Sequence, residues 1–232
     1  MSDTLPYTRN ITPDIEDRLR DMPAGEVGVA THFLGRYREF DAAFQTVWLP
    51  PGCTKEYFLG VDPCHHFNEM VRKMQSRNYE WVWILGDDHV FCQDLWMKLY
   101  ERDVDIVVPL CLRRTDFTPI LNEDAAAGFI AINQSWNQLI GKTGMLEWYG
   151  TCGNAGMLIR KHVFDKIEEP WFRAGKLSPE FSGSDLYFAH QAQRAGFKVW
   201  IDLDNTIGHI NHMAIWPRRD EGGDWHIDVR MA

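Results

Sequence analysis

The feature that most constrains this 232-residue chain is an unbroken apolar run at residues 81–85, Trp-Val-Trp-Ile-Leu, followed directly by Gly-Asp-Asp-His at 86–89. A strand that is apolar on both faces needs a sheet that is covered on both sides, as in α/β proteins. In such open sheets, ligands gather at the carboxyl ends of the strands. The run therefore predicts a buried central strand that carries two acids to a ligand-binding edge.

Helices and strands are predicted to alternate around this strand, which favours an α/β fold with a mostly parallel central sheet flanked by helices, in a single domain. Besides 81–85, the strands are predicted at 27–33, 47–49, 106–108, 157–159 and 197–201. The helices are predicted at 38–46, 67–74, 95–102, 162–167 and from the polar run at 182–185 through 194. Residues 1–24 are interpreted as a polar lead-in. The tail at 213–232 contains Pro217, Gly222 and Gly223 and is interpreted as a loop or lid.

Charge and cysteine content leave some classes of partner and site without support. General nucleic-acid and anionic-membrane binders normally carry a basic face, which a net charge of −9 and a pI near 5.4 do not favour. The five cysteines are odd in number and contain no C-x-x-C pair, so neither a disulfide framework nor a zinc ribbon is indicated, and a cytoplasmic location is expected. The apolar runs fall far short of the ~20 residues that cross a bilayer, so no transmembrane segment is expected.

Three short segments carry residue types suited to chemistry. Asp87 and Asp88 follow the central strand, where paired acids can hold a divalent cation against phosphate, or can simply form a turn or helix cap. Asp185 is predicted in the first turn of a helix, where backbone N–H groups favour an ionised carboxylate that can accept a proton; ordinary helix-start capping is the alternative. His209 follows an apolar strand and is either a metal ligand or a structural histidine.

The order of these motifs resembles the GT-A glycosyltransferases, and is nearest to the large inverting family that includes polysaccharide and glycan glycosyltransferases. The matching motifs are 81–88, 105–108, 113–114, 156–160, 170–172, 183–185 and 208–209. The resemblance spans roughly residues 25–212. It implies a Rossmann-like GT-A domain, with a nucleotide-sugar half at 25–115 and an acceptor half at 116–212.

The resemblance also implies roles for individual residues. Asp88 matches the metal-binding acid of a D-x-D-like motif, His209 matches the late metal-binding histidine, and Asp185 matches the proposed catalytic base. Gly86 stands where the family usually has an acid, so Asp87 would contact the ribose in its place; the other register, 87–89, ends the motif in a histidine. Ser184 stands where the family commonly has a Glu.

Other residues are candidates of lower specificity. Thr31, Arg36 and Asp62 lie near the ends of early strands and are candidates for contacts to the base and ribose. Arg113 and Arg114 either pair with phosphate or an acidic acceptor, or are solvated loop charges. Trp81 and Trp83 are predicted in the core. Four other tryptophans, at 148, 171, 216 and 225, either stack on a ligand or pack inside the protein.

The function expected from this pattern is that of a metal-dependent glycosyltransferase acting with inversion. Mn²⁺ or Mg²⁺ would stabilise the leaving diphosphate of a nucleotide-diphosphate sugar, with a UDP-sugar favoured, and Asp185 would deprotonate an acceptor hydroxyl. The acceptor is left open among a glycan, a lipid-linked sugar and a small molecule; a hydroxylated nucleic-acid base is disfavoured by the charge of −9. The alternatives are a metal-dependent hydrolase and a catalytically silent nucleotide-sugar or glycan-binding protein.

Overall fold

A computed structural model describes residues 11–31, 36–60, 62–114, 116–122, 136–173, 183–211 and 213–231. The first ten residues of the lead-in, the end of the first predicted strand at 32–33 and the predicted capping residue at 182 lie outside the described residues.

The described helices and strands alternate through the first half of the chain, as the sequence predicts. The helices are α1 (Pro13–Asp21), α2 (Arg38–Thr46), α3 (Pro63–Ser76), α4 (Leu95–Tyr100), α5 (Lys161–Phe164) and α6 (Ser184–Arg194). The strands are β1 (Glu26–Thr31), β2 (Thr54–Leu59), β3 (Trp81–Gly86), β4 (His89–Val90), β5 (Ile106–Leu110), β6 (Leu121–Asn122), β7 (Met145–Trp148), β8 (Thr151–Cys152), β9 (Met157–Arg160), β10 (Val199–Thr206), β11 (Gly208–Ile210), β12 (Met213–Arg219) and β13 (Trp225–Met231).

The central sheet has seven strands in the order β2-β1-β3-β9-β5-β10-β7. β1 pairs in parallel with β2 and β3, and β5 pairs in parallel with β10. β9 lies antiparallel between β3 and β5, and β7 is antiparallel to β10 at the edge. Five of the seven strands therefore run in one direction, which confirms the α/β class, but the sheet is mixed because β9 and β7 run the other way.

Residues of β3 alternate between two apolar layers. Trp81, Trp83 and Leu85 pack on the side that also receives buried residues of α2 and α4, whereas Val82 and Ile84 pack on the side of α3 and α6. Both tryptophans have no exposed surface, so the prediction that they belong to the core is confirmed. Because both faces of the sheet are covered, the accessible edge is where the strands end.

A smaller four-stranded sheet, in the order β13-β12-β11-β4, joins the end of β3 to the end of β10. The tail at 213–232 is expected as a loop or lid; over the described residues 213–231 it is an antiparallel hairpin and not a loop, with Gly223 at φ +88° in its turn. Trp216 of this hairpin is buried, as are Trp148 and Trp171, so these three side chains pack inside the protein. Trp225 is partly buried, and Cζ of the Arg219 guanidinium lies 4.6 Å from the centroid of its ring.

One other expected strand is missing from the structure, and β2 is a strand that the sequence does not predict. The strand expected at 47–49 is absent, and the chain instead forms a turn at Gly52, with φ +82°, before β2 begins. β2 is an edge strand with mostly part-exposed residues, so its sequence lacks the apolar run that marks a central strand.

Within the described ranges, there is no helix with both the length and the apolar character needed to cross a membrane.

Candidate functional site

The ligand atoms of Asp88, His89 and His209 lie within 4.8 Å of one another at the end of β3. Gly86 ends β3, a turn carries Asp88, and β4 follows at once. β4 pairs antiparallel with β11 in the register that places His209 opposite His89. The fold thus brings together two predicted metal ligands, Asp88 and His209, that are 121 positions apart in the sequence.

Asp88 is held as an anion by the groups around it. Its Oδ2 is 3.3 Å from Nε2 of His209 and 2.9 Å from Nη1 of Arg114, and its Oδ1 is 3.7 Å from Nε2 of His89. Burial acts to raise the pKa of Asp88, but the hydrogen bond to His209 and the neighbouring positive charges outweigh it and hold the pKa well below the usual range. The site therefore presents a charged carboxylate that is only 19% exposed.

His209 is oriented as a metal-ligating histidine would be. Its Nδ1 is 2.9 Å from the carbonyl oxygen of Leu112, and since a carbonyl only accepts, Nδ1 carries a proton. This bond fixes the ring so that Nε2 faces Asp88, the arrangement in which a backbone carbonyl orients a histidine ligand. Burial acts to lower the pKa of His209, but Asp88 and then Cys111 raise it to about 10, so that in the absence of a cation Nε2 is protonated as well.

His89 differs from His209 in its hydrogen bonding. Its Nδ1 accepts from the backbone N–H of Gly86 at 2.9 Å, which places the ring proton on Nε2, facing Asp88. Burial lowers the pKa of His89 to about 4, so the ring is neutral. At 3.7 Å from Oδ1 of Asp88, this N–H faces the carboxylate but is too far away to form a hydrogen bond with it.

The donor set fits a divalent cation. A carboxylate oxygen from Asp88 and an imidazole nitrogen from His209 face each other, and the carbonyl of Leu112 holds that imidazole in the orientation a ligand needs. Imidazole is an uncommon ligand for Mg²⁺, which prefers oxygen donors, whereas a mixed carboxylate and imidazole set suits Mn²⁺ and other first-row metals.

The structure gives a physical reason for the glycine at position 86. A Cβ built there would lie 2.7 Å from Oδ1 of Asp88 and 3.2 Å from Cε1 of His89. The side chains of the cluster fold back over the end of β3, and a larger residue would collide with them. An acid at this position is therefore incompatible with the present arrangement of Asp88 and His89.

Three of the four predicted nucleotide-contacting residues lie near one another beside this cluster. The hydroxyl of Thr31 donates to Oδ2 of Asp87 at 2.5 Å. The Nε of Arg36 donates to Asp41 at 3.0 Å, which is the main cause of the raised pKa of Arg36; the charge of Asp87 contributes less. Asp87 and Asp88 are adjacent in sequence but face different strands, so Asp87 does not join the metal cluster.

Asp62, the fourth of these residues, has a structural role. It is the N-cap of α3, where its Oδ1 accepts from the backbone N–H groups of Cys64, at 2.9 Å, and His65, at 3.3 Å. This capping accounts for an acid at the position without any ligand.

Asp185 lies in the first turn of α6, as predicted, with its Oδ1 accepting from the N–H of Leu186 at 3.0 Å. Burial is the largest effect on its pKa and raises it, while the backbone N–H groups lower it; the net direction is upward, opposite to the expected stabilisation of the ionised form. In the portion of the chain that the structure describes, no hydrogen bond joins Asp185 to Asp88 or His209.

Two residues at the cluster, His89 and Arg114, were not selected as site residues from the sequence. The sequence places His89 only at the end of an alternative motif register, and gives Arg114 only as one of two arginines that either pair with phosphate or an acidic acceptor, or are solvated loop charges. Their contacts with Asp88 depend on the return of the chain at β11 and on the loop after β5, which local sequence patterns do not reveal.

Comparison with known proteins gives a fold likeness and no family. No protein-family model matches the chain, and no curated protein matches it. The crystal structure of A197 from STIV is similar, with a TM-score of 0.56 and 14% sequence identity, over 89% of this chain and 96% of that one. A structure described as a "putative nucleotide-diphospho-sugar transferase" from Desulfovibrio desulfuricans G20 has a TM-score of 0.39 and 11% identity, over 78% of this chain and 83% of that one. At 14% identity the likeness to A197 concerns the fold alone. The TM-score of the second structure is too low for it to bear on this chain.

Proposed function

We propose that the chain is a metal-dependent glycosyltransferase of the GT-A type, which transfers a sugar from a nucleotide-diphosphate sugar to an acceptor hydroxyl with inversion. The observation that carries the proposal is the pairing of Asp88 with His209 at the carboxyl edge of the sheet. Open α/β sheets bind their ligands at this edge. An anionic carboxylate beside an oriented imidazole would hold a divalent cation there.

The residues of the site divide into three roles under this proposal. Asp88 and His209 would hold Mn²⁺, and the bound ion would supply Lewis-acid stabilisation for the leaving diphosphate. Thr31, Arg36 and Asp87 contact the nucleoside of the donor, with a UDP-sugar as the preferred donor. Asp185 accepts the proton of the attacking hydroxyl. Its raised pKa suits that task, because a more basic carboxylate takes a proton more readily in the transition state.

Two other functions use the same residues. A metal-dependent hydrolase would use water in place of the acceptor hydroxyl and release free sugar. A catalytically silent protein would bind the nucleotide sugar without turnover. The part-buried, oriented Asp88–His209 pair supports metal binding in all three cases, so turnover is what separates them.

The decisive experiment measures binding first and products second. Thermal unfolding is followed with a panel of nucleotide sugars, with and without Mn²⁺, because a ligand that binds only the folded state raises Tm. Stabilising donors are then incubated with acceptor mixtures, and transferred sugar is separated from free sugar. We expect stabilisation that requires Mn²⁺ and is lost on addition of EDTA.

The matched variants are Asp88→Asn and Asp165→Asn. Both remove one negative charge, but Asp165 is exposed at the end of α5, away from the cluster. We expect Asp88→Asn to abolish the metal-dependent stabilisation and Asp165→Asn to retain it. Equal stabilisation of the two variants, or donor binding that is indifferent to EDTA, would disprove the proposed site.

A further inference from the structure

Arg114 is more exposed to solvent than either histidine that lies beside Asp88. Its Nη1 is 2.9 Å from Oδ2 of Asp88, the same oxygen that faces Nε2 of His209 at 3.3 Å. The side chain of Arg114 is 42% exposed, whereas that of Asp88 is 19% exposed. A part-exposed positive group is therefore paired with the proposed metal-binding oxygen.

We infer that Arg114 couples the binding of metal to the binding of nucleotide: it pairs with Asp88 in the metal-free protein and moves to the diphosphate when both ligands arrive. This inference rests on the proposed function, since it assigns to Arg114 the anionic part of the same donor. It adds that the binding of metal and the binding of nucleotide depend on each other, which the Asp88–His209 pair does not itself imply.

The first step of the argument is competition for Asp88. A divalent cation bound to Oδ2 of Asp88 and Nε2 of His209 would lie close to the guanidinium of Arg114, and like charges at such short range repel. Metal binding by itself must therefore break the Arg114–Asp88 ion pair and leave the arginine beside a second positive charge. Arg114 opposes the binding of metal alone.

The second step concerns the diphosphate. A guanidinium presents several N–H donors in a planar fork that matches phosphate oxygens, and its charge is retained at all relevant pH values. Arg114 is exposed enough to turn away from Asp88. A diphosphate supplies the negative charge that both the cation and the released Arg114 require, so Arg114 favours the binding of the nucleotide.

These two steps give opposite effects of one residue on two ligands. Thermodynamic coupling is reciprocal, so metal would strengthen nucleotide binding by the same factor by which nucleotide strengthens metal binding. Loss of Arg114 would tighten the binding of metal alone and weaken that of nucleotide with metal, which reduces the coupling. An exposed ion pair with no such role would leave both affinities nearly unchanged.

The test is a calorimetric titration of Mn²⁺ alone, and of UDP in the presence of saturating Mn²⁺, into the parent protein and into Arg114→Gln. The matched control is Arg113→Gln, which removes the same charge from the neighbouring residue; Nη1 of Arg113 lies 3.8 Å from Asp116. We expect Arg114→Gln to bind Mn²⁺ at least about fivefold tighter and UDP with Mn²⁺ at least about fivefold weaker, the lower end of usual coupling between sites. Arg113→Gln should resemble the parent in both titrations.

Arg114→Lys retains the charge and serves as a second variant. It should resemble the parent more than Arg114→Gln does in the Mn²⁺ titration, because the repulsion persists. If Arg114→Gln matches Arg113→Gln in both titrations while the parent binds UDP only with Mn²⁺, the inference is wrong and the proposed function stands. If the parent binds Mn²⁺ but neither UDP nor the diphosphate of any other nucleoside in the donor panel, the proposed function fails, and the transfer of Arg114 to a diphosphate fails with it.

Discussion

Gly86 lies directly under the carboxylate of Asp88: a Cβ on Gly86 would be 2.7 Å from Oδ1 of Asp88. The backbone N–H of the same glycine donates to Nδ1 of His89. One residue at the end of β3 thus provides both the space for the carboxylate and the hydrogen bond that orients the adjacent histidine.

Gly86→Ala should weaken metal binding more than it weakens the fold. The added methyl group collides with Asp88 and must displace its side chain, which costs about 1–3 kcal/mol of stability for an overpacked position. Because a metal site tolerates little displacement of its ligands, we expect Mn²⁺ affinity to fall at least about tenfold. Calorimetric titration measures the affinity, and thermal unfolding measures the stability.

The control for this variant is Gly222→Ala in the turn between β12 and β13. There the nearest atom to an added Cβ is Oδ1 of Asp220 at 3.3 Å, the end of an exposed and movable side chain. Gly222→Ala should retain the affinity of the parent for Mn²⁺. A Gly86→Ala protein that binds Mn²⁺ as well as Gly222→Ala does would show that the metal lies elsewhere.

Metal binding should release one proton per ion near neutral pH, and the proton should come from His209. The pKa of His209 is raised to about 10, so its Nε2 must lose a proton before it can coordinate. His89, with a pKa lowered to about 4, is already neutral and contributes no proton. Between pH 6 and 8, Mn²⁺ affinity should therefore rise about tenfold per pH unit.

Calorimetry in two buffers that differ in ionisation enthalpy counts the released protons. The direction of the pKa shift also determines how the stability of the metal-free protein depends on pH. A histidine whose pKa is raised on folding stabilises the fold below its ordinary pKa, and this contribution is lost as the pH rises through about 10. His209→Gln should remove that dependence. Metal affinity that is independent of pH would exclude His209 as a ligand.

The central layers could be predicted from the sequence because their signals are local. The apolar run of β3 needs burial on both faces, and the helical spacing of Phe67, Met70, Val71 and Met74 marks the inward side of α3. The antiparallel insertion of β9 between β3 and β5 was not predictable in the same way. Its apolar residues would suit either direction, and only the pairing with two neighbours decides between them.

The candidate site could be predicted in its residues but not in its contacts. Asp88 and His209 were identified by their place in the order of motifs, but their meeting depends on the pairing of β4 with β11, strands of two and three residues that are too short to show a pattern. The tail was misinterpreted because Pro217 and two glycines favour a loop. The glycines form the turn of a hairpin, and Pro217 lies beyond the residues of β12 that pair with β11.

Asp202→Asn should destabilise the fold far more than Asp204→Asn. Asp202 is fully buried and receives Nε and Nη2 of Arg102 at 2.8 and 2.9 Å, whereas Asp204 is 44% exposed and receives Nη2 of the same arginine at 3.1 Å. Breaking a buried pair costs about 3–5 kcal/mol, and the part-exposed Arg102 reduces this to roughly 2–3 kcal/mol. An exposed pair is worth about 0–1 kcal/mol.

Denaturant unfolding measures the loss of unfolding free energy in Asp202→Asn and in Asp204→Asn. The comparison also bears on catalysis, because Asp202 lies on β10 and is a carboxylate that a search for a general base would consider. Its oxygens are occupied by Arg102 and by the amides of Asp204 and Asn205. A variant that loses activity with unchanged stability would contradict this structural role.

Asp185→Asn should lower the rate of sugar transfer by about 10²–10⁴-fold, the usual contribution of a general base. The substitution retains the shape of the side chain and an oxygen that can accept from the N–H of Leu186, so the start of α6 should persist. It removes the ability to take a proton. Since no hydrogen bond joins Asp185 to Asp88 or His209 among the described residues, affinity for Mn²⁺ and for the donor should stay within about twofold of the parent.

Steady-state kinetics and donor titration are measured on Asp185→Asn beside Asp185→Glu, which keeps the carboxylate, and Asp165→Asn, which removes an equal charge from the surface. Asp185→Glu should recover part of the lost rate, and Asp165→Asn should lose none. The pKa of Asp185 is raised by burial, so the rate of the parent should fall as the pH drops toward that pKa, and this limb should be absent from the residual activity of Asp185→Asn. Loss of donor affinity in proportion to rate would instead place Asp185 in the donor-binding part of the site, and a normal rate would remove it from the reaction.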